Sequence, residues 1–172
     1  MKKLNVLVLF GGQSTEHDVS LISSSNVIEL LDTEKYNVIK VGITKEGQWH
    51  LYEGDTASIK DGSYINKNIK KAVLSPDSSD GLIVFGENGI ENIDIDVVFP
   101  VLHGKFGEDG TIQGLCELAK LPCVGPEMLG SAICMDKPTA KLVFKDCGIN
   151  QADWVTVYSD EFDDMDARDG VV

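Results

Sequence analysis

Two glycine-rich segments, each placed directly after an apolar run, constrain this chain more than anything else in it. The first reads LVLFGGQSTEHDVS over residues 7–20, and the second VVFPVLHGKFGEDGTIQG over residues 97–114. An aliphatic run that gives way to glycine and then to a helical pattern marks a strand handing over to a helix in an α/β fold. Each handover carries a titratable group at the strand's carboxyl end, Glu16 in the first and His103 in the second. In open parallel sheets that edge is where ligands bind.

The rest of the chain reads as further alternation. Residues 4–10 are almost continuously aliphatic, as in a strand covered on both faces. Thr15 and Asp18 have the spacing of a capping box, and the helix after them is expected to turn Val19, Ile22, Val27, Leu30 and Leu31 to one side. Residues 36–44 and 49–52 read as two strands of a hairpin, with 55–71 polar and undetermined. Short strands are expected at 72–74 and 82–85, a buried parallel-type strand at 96–102, and a helix at 111–120 with Ile112, Leu115, Cys116 and Ala119 inward. A brief strand follows at 122–124. Helices at 126–135 and 138–147 each open on proline, which suits a first turn, and Gly148 closes the second. Residues 154–157 read as a last strand or a linker. The pattern predicts an α/β fold: a doubly wound, mostly parallel sheet flanked by helices. One domain is expected over 1–157, with 158–172 an acidic tail or linker.

Composition narrows the function. The formal charge is −13, from 28 acids against 15 bases, which disfavours nucleic acid and anionic membrane surfaces. The sequence has no apolar run long enough to span a bilayer. Its start, MKKLNVLVLF, alternates like a strand and lacks a small-residue cleavage pattern. The four cysteines show no CxxC spacing and read as reduced thiols of a cytoplasmic protein, without disulfide or metal.

The two segments suggest a chemistry. Gly11 and Gly12 let the backbone turn sharply beside a ligand, and the helix N-terminus beyond them favours an anion. Yet the third glycine of a dinucleotide fingerprint is missing, and Glu16 stands where a phosphate would sit. A carboxylate there suits an ammonium group; the plainer reading is that Glu16 only complements the helix dipole. His103 is either a structural hydrogen-bonder or a donor to a substrate carboxylate or carbonyl, with Lys105 adding positive charge. Glu108 and Asp109 precede a helix and are candidates to cap it, and Ser14 joins Lys105 and Glu108 as a secondary site candidate.

With GG-x-S-x-E-x-x-V-S, LHG-x-x-GEDG-x-x-QG and the MDK ending at Lys137, the chain resembles the N-terminal domain of D-alanine–D-alanine ligases and the related D-lactate and D-serine ligases, of the ATP-grasp superfamily. The likeness runs from about Asn5 to Thr156. It implies that Glu16 is the catalytic glutamate that binds the ammonium of the first D-alanine, that Val19 contacts its methyl group, and that His103 meets its carboxylate. Lys137 would match a lysine that reaches the nucleotide. The resemblance also implies a Rossmann-like domain preceding an ATP-grasp domain, ATP and magnesium as cofactors of the full-length enzyme, and a homodimer.

In that family the glycine loop over the phosphates and the magnesium ligands come from further domains. No segment here resembles them, and the acids at 160–169 read as a solvated helix or linker rather than a metal site. Phosphoryl transfer depends on positioning and on cationic stabilisation. The expectation is therefore a ligase portion that is inactive alone and binds no cofactor tightly. The alternatives are a stand-alone amino-acid-binding or dimerisation module, and, least favoured, a nucleotide-dependent oxidoreductase. The second substrate is set outside the segments that carry the likeness.

Overall fold

The computed structural model describes residues 2–157; the stretch 158–172, expected as an acidic tail or linker, lies outside the described residues. The chain divides into two units, one running through Met135 and the other beginning at Asp136.

The first unit is built on one seven-stranded sheet in the order β6-β5-β4-β3-β2-β1-β7. Its strands are β1 (Leu4–Gly11), β2 (Tyr36–Ile43), β3 (Trp49–Tyr52), β4 (Ile69–Leu74), β5 (Leu82–Gly86), β6 (Gly89–Ile93) and β7 (Val97–Pro100). The helices are α1 (His17–Leu30), α2 (Thr56–Lys60), α3 (Thr111–Leu118) and α4 (Met128–Met135), with a 3-10 turn at Ser63–Asn66. In β1, Leu7 and Leu9 face a cluster that includes Ile112 and Cys116 of α3. Val6 and Val8 face the opposite layer, where Val27 and Ile28 of α1 pack. That is why β1 reads as continuously aliphatic: both its faces are covered. Each such side chain buried contributes about 1.5–3 kcal/mol, which makes β1 the anchor of the sheet.

The α/β class holds, with helices on both faces, but the sheet is mixed rather than mostly parallel. β1 pairs in parallel with β2 and β7. From β2 through β6 every pairing is antiparallel. The connections β2–β3, β4–β5 and β5–β6 are short loops, which reverse a chain but cannot make the crossover that parallel neighbours need. β6 went unseen in the sequence because an exposed edge strand of sequence GIENI has no buried face to impose alternation. Its partner register leaves a two-residue loop, Glu87 and Asn88, ahead of Gly89 at φ 128°.

Helix α1 departs from expectation in two ways. Thr15 and Asp18 form no capping box: Glu16 is the N-cap residue and its side chain makes no capping hydrogen bond. Instead the Ser14 hydroxyl accepts from the Glu16 N–H at 3.0 Å, and Asp18 pairs with Lys45 at 3.1 Å. The inward face is also different, since His17, Ser20, Leu21, Ser24 and Ser25 are the buried residues. Val27 and Leu31 pack inward as expected, whereas Val19, Ile22 and Leu30 are exposed. Small serines let the helix lie close to the sheet, and their hydroxyls find acceptors on the spot: Ser24 and Ser25 both donate to the Leu21 carbonyl.

Helix α3 follows the pattern, with Ile112 and Cys116 buried, Ala119 buried just beyond it, and Leu115 packed against the same cluster. The strand expected at 122–124 is reduced to a single parallel bridge between Cys123 and Val98. In the second unit, α5 (Lys137–Asp146) opens with Asp136 accepting from the Thr139 N–H at 3.0 Å. Gly148, at φ 70°, closes it. Residues 151–157 have no regular structure, so of the two readings of 154–157 the strand does not form. All four cysteines are free thiols.

Candidate functional site

Because β1 and β7 are parallel neighbours, with Leu9 opposite Pro100, the loops that leave their carboxyl ends lie side by side. The helix after β1 covers one face of the sheet and the helix after β7 the other, so this edge is a topological switch point, the place where α/β sheets open a crevice.

The first loop is locked by contacts that only glycine permits. At Gly11, φ is 86° and a Cβ would fall 2.3 Å from the Ile43 carbonyl oxygen. The Gly11 N–H donates to the Ser20 hydroxyl at 2.8 Å, and the Ser20 hydroxyl donates to the Val101 carbonyl. Ser20, fully buried, thus ties the first loop to the second. His17, also buried, directs Nδ1 at the Gly12 carbonyl at 2.8 Å and braces the same turn.

Glu16 follows as the first residue of the helix mouth. Its Oε2 lies 2.7 Å from the point a Cβ on Gly104 would occupy, so the carboxylate rests directly against the second loop. Ser14, mostly buried, sets the Glu16 backbone from below and lies against the same glycine. Glu16, Val19 and Ser23 recur at helical spacing and share a face of α1. Val19 is half-exposed on it, and Ser23 reaches His103, whose Nε2 stands 3.1 Å from the Ser23 hydroxyl.

The second loop is held by its own carboxylates. Glu108 accepts from the Gly104 N–H at 2.7 Å and places its other oxygen 3.9 Å from Nδ1 of His103. Asp109 accepts from the Phe106 N–H at 2.8 Å and the Thr111 N–H at 3.0 Å. Burial pushes the Asp109 carboxyl up, but those backbone donors outweigh it and hold the group below its ordinary value. Gln113 pins the loop from α3 by donating to the Gly107 carbonyl at 2.9 Å. A cavity of about 310 Å³ opens beside the loop, bounded by Gly12, Trp49, Leu102, His103, Lys105 and Phe106. Lys105 lies along the Phe106 ring, its Nζ 4.8 Å from the centroid.

The arrangement sets the Glu16 carboxylate against the loop that carries His103, with Val19 exposed on the same helix, while the cavity beside that loop is lined by His103 and Lys105 and not by Glu16 or Val19. Glu16, Val19, His103, Ser14, Lys105 and Glu108 are gathered at this one edge of the first unit. Lys137 lies in the second unit, at the first turn of α5. Ser20, Ser23 and His17 escaped sequence reasoning. Their one signal was a serine-rich α1, which a search for apolar periodicity assigns to the solvent face.

Known proteins share these features. Residues 5–126 match the family profile described as D-ala D-ala ligase N-terminus. A D-alanine–D-alanine ligase of Thermoanaerobacter sp. (strain X514) is 49% identical over 169 residues, covering 97% of this chain and 46% of that protein. The crystal structure of the VanG D-Ala:D-Ser ligase from Enterococcus faecalis superposes with a TM-score of 0.85 at 39% identity, over 95% of this chain and 47% of that one. The D-alanine–D-alanine ligase of Coxiella burnetii superposes with a TM-score of 0.81 at 34% identity, over 92% and 45% of the two chains. The chain therefore spans a little under half the length of the relatives it matches. Since the matched residues start within β1 and end beyond α3, both loops that build this edge fall inside the match, and the chain belongs to the family of D-alanine–D-alanine ligase N-termini.

Proposed function

We propose that this chain is the amino-acid-binding part of a D-alanine–D-alanine or D-alanine–D-X ligase, an ATP-dependent enzyme of peptidoglycan synthesis acting in the cytoplasm as a homodimer. Residues 1–157 are the binding portion and 158–172 the connection to an ATP-grasp part. The observation that carries the reading is the Glu16 carboxylate resting on the His103 loop rather than capping its own helix.

In this reading Glu16 receives the ammonium of the first D-alanine, Val19 borders its methyl group, and His103 faces its carboxylate. Ser14 and Gly104 fix where the glutamate stands, and Ser20 fixes the distance between the two loops. ATP supplies the phosphoryl group that activates the substrate carboxylate, and Lys137 is the residue of this chain that would meet it. Among the described residues no group of three or more His, Cys, Asp or Glu side chains is arranged to hold a metal ion. No step here runs through magnesium.

The test is a titration of the isotope-labelled chain with D-alanine, followed by amide shifts. Shifts centred on Glu16, Val19 and His103 are expected, with affinity on the order of millimolar, because the chain alone provides only part of the contacts that offset the ordering cost. They should disappear in Glu16→Gln. An unresponsive edge, or an equal response in that variant, overturns the reading. Micromolar affinity would favour a self-sufficient binding module. Stoichiometric ADP formation by these 172 residues with ATP, magnesium and D-alanine would contradict the division of labour.

A further inference from the structure

His103 is met on α1 by Ser23, whose hydroxyl has two neighbours: the Val19 carbonyl oxygen at 3.0 Å and Nε2 of His103 at 3.1 Å. A hydroxyl has one proton to donate and lone pairs to accept with. A carbonyl can only accept, so the Ser23 proton goes to Val19, and the Ser23 oxygen is left to accept from the ring. Nε2 must then carry a hydrogen. In a neutral imidazole the other nitrogen is bare. That nitrogen, Nδ1, stands 3.9 Å from Oε1 of Glu108, outside hydrogen-bond reach, while the second Glu108 oxygen is taken by the Gly104 N–H.

We infer that Ser23 is a positioning residue that holds His103 as the Nε2–H tautomer and leaves Nδ1 as the nitrogen open to a proton or a ligand. His17 supplies the opposite case in the same helix. Its Nδ1 lies 2.8 Å from the Gly12 carbonyl, which can only accept, so there Nδ1 carries the hydrogen. The first loop and α1 thus fix two imidazoles in opposite tautomers, one through a carbonyl and the other through a hydroxyl. A substrate carboxylate cannot reach the Nε2 hydrogen without displacing Ser23. It meets the ring on the Nδ1 side, where Glu108 stands 3.9 Å away. That consequence rests on the amino-acid-binding reading; the tautomer does not.

Long-range proton–nitrogen correlation spectra of the histidine-labelled full chain test this, recorded at about pH 8, where an ordinary imidazole is neutral. His103 should show the Nε2–H pattern and His17 the Nδ1–H pattern. In Ser23→Ala the His103 signal should move to a mixture of tautomers, and Ser23→Thr, which keeps the hydroxyl, should restore it. His17 should not change in either variant, which reports that α1 and the glycine turn are intact. A wild-type His103 in the Nδ1–H form overturns the inference whether or not the variants fold. So does a Ser23→Ala spectrum identical to wild type. If the tautomers appear as stated while D-alanine produces no response, the positioning role survives and the binding reading fails.

Discussion

The Glu16 carboxylate fills the space that a side chain on Gly104 would need: Oε2 lies 2.7 Å, and the Ser14 hydroxyl 2.6 Å, from the point where that Cβ would stand. Two residues 88 positions apart in sequence are thereby made interdependent, since glycine at one is what gives the other its place. Gly104 also has φ 67°, a conformation that costs an L side chain about 1–2 kcal/mol. Gly104→Ala should therefore destabilise the chain by at least that much and remove its response to D-alanine. Urea denaturation and amide titration check the two effects, and an unaffected variant would show the contact to be unimportant.

Glu16 itself should be nearly silent in stability. Its side chain makes no capping hydrogen bond, and the group is exposed. Glu16→Gln is expected to shift the unfolding free energy by less than about 0.5 kcal/mol, as surface substitutions generally do. The D-alanine response should nevertheless vanish. A variant that loses stability and binding together would point to a structural glutamate.

Ser20 should behave in the reverse manner. Replacing it with alanine leaves the Gly11 N–H and the Val101 carbonyl without the hydroxyl that joins them. A buried backbone group left unpaired costs about 1–3 kcal/mol, so Ser20→Ala is expected to destabilise by about 2–4 kcal/mol. Hydrogen exchange at Gly11, whose N–H loses its acceptor, should accelerate before exchange in α3 does.

Acid should loosen the second loop through Asp109. The Phe106 and Thr111 N–H groups hold its carboxyl below the ordinary range against the opposing push of burial. A lowered folded value means that the contribution is fully present above the unfolded value of about 3.9 and is lost as pH falls through the folded one. The stability gap between wild type and Asp109→Ala should stay constant from neutral pH to about 4 and close below it. A gap independent of pH would assign the effect to packing.

Thiol labelling offers a check on the core. Cys134 and Cys147 are exposed, whereas Cys116 is fully buried and its thiol is pushed up by its hydrogen bond with Cys123 and by burial. Native protein should modify quickly at Cys134 and Cys147, and Cys116 should react only in denaturant. Fast modification of Cys116 would contradict its place beneath β1 and β7.

Much of this architecture follows from sequence alone. β1 and α3 were legible because both bury apolar side chains at a period the chain displays, and Gly11, Gly12 and Gly104 mark turns that few other residues can make. The same logic failed at α1, where the buried face is serine. Hydrophobic periodicity detects burial only when burial is apolar, and here hydroxyls with local acceptors take its place. The hairpin of β2 and β3 was legible from its turn, but the reading failed again at β4 to β6, because strand direction depends on which partner each strand finds, and alternation within one strand carries no information about its neighbour.

The sequence by itself determined the family, the α/β class and the identity of Glu16, Val19 and His103 as the residues to watch, since each is carried by a local motif. Only the tertiary structure decided that the Glu16 carboxylate lies against Gly104, that Ser20 joins the two loops and that Ser23 meets His103. These are contacts across about 80 residues or more of chain. They exist because β1 and β7 are hydrogen-bonded neighbours, a pairing that no local pattern encodes.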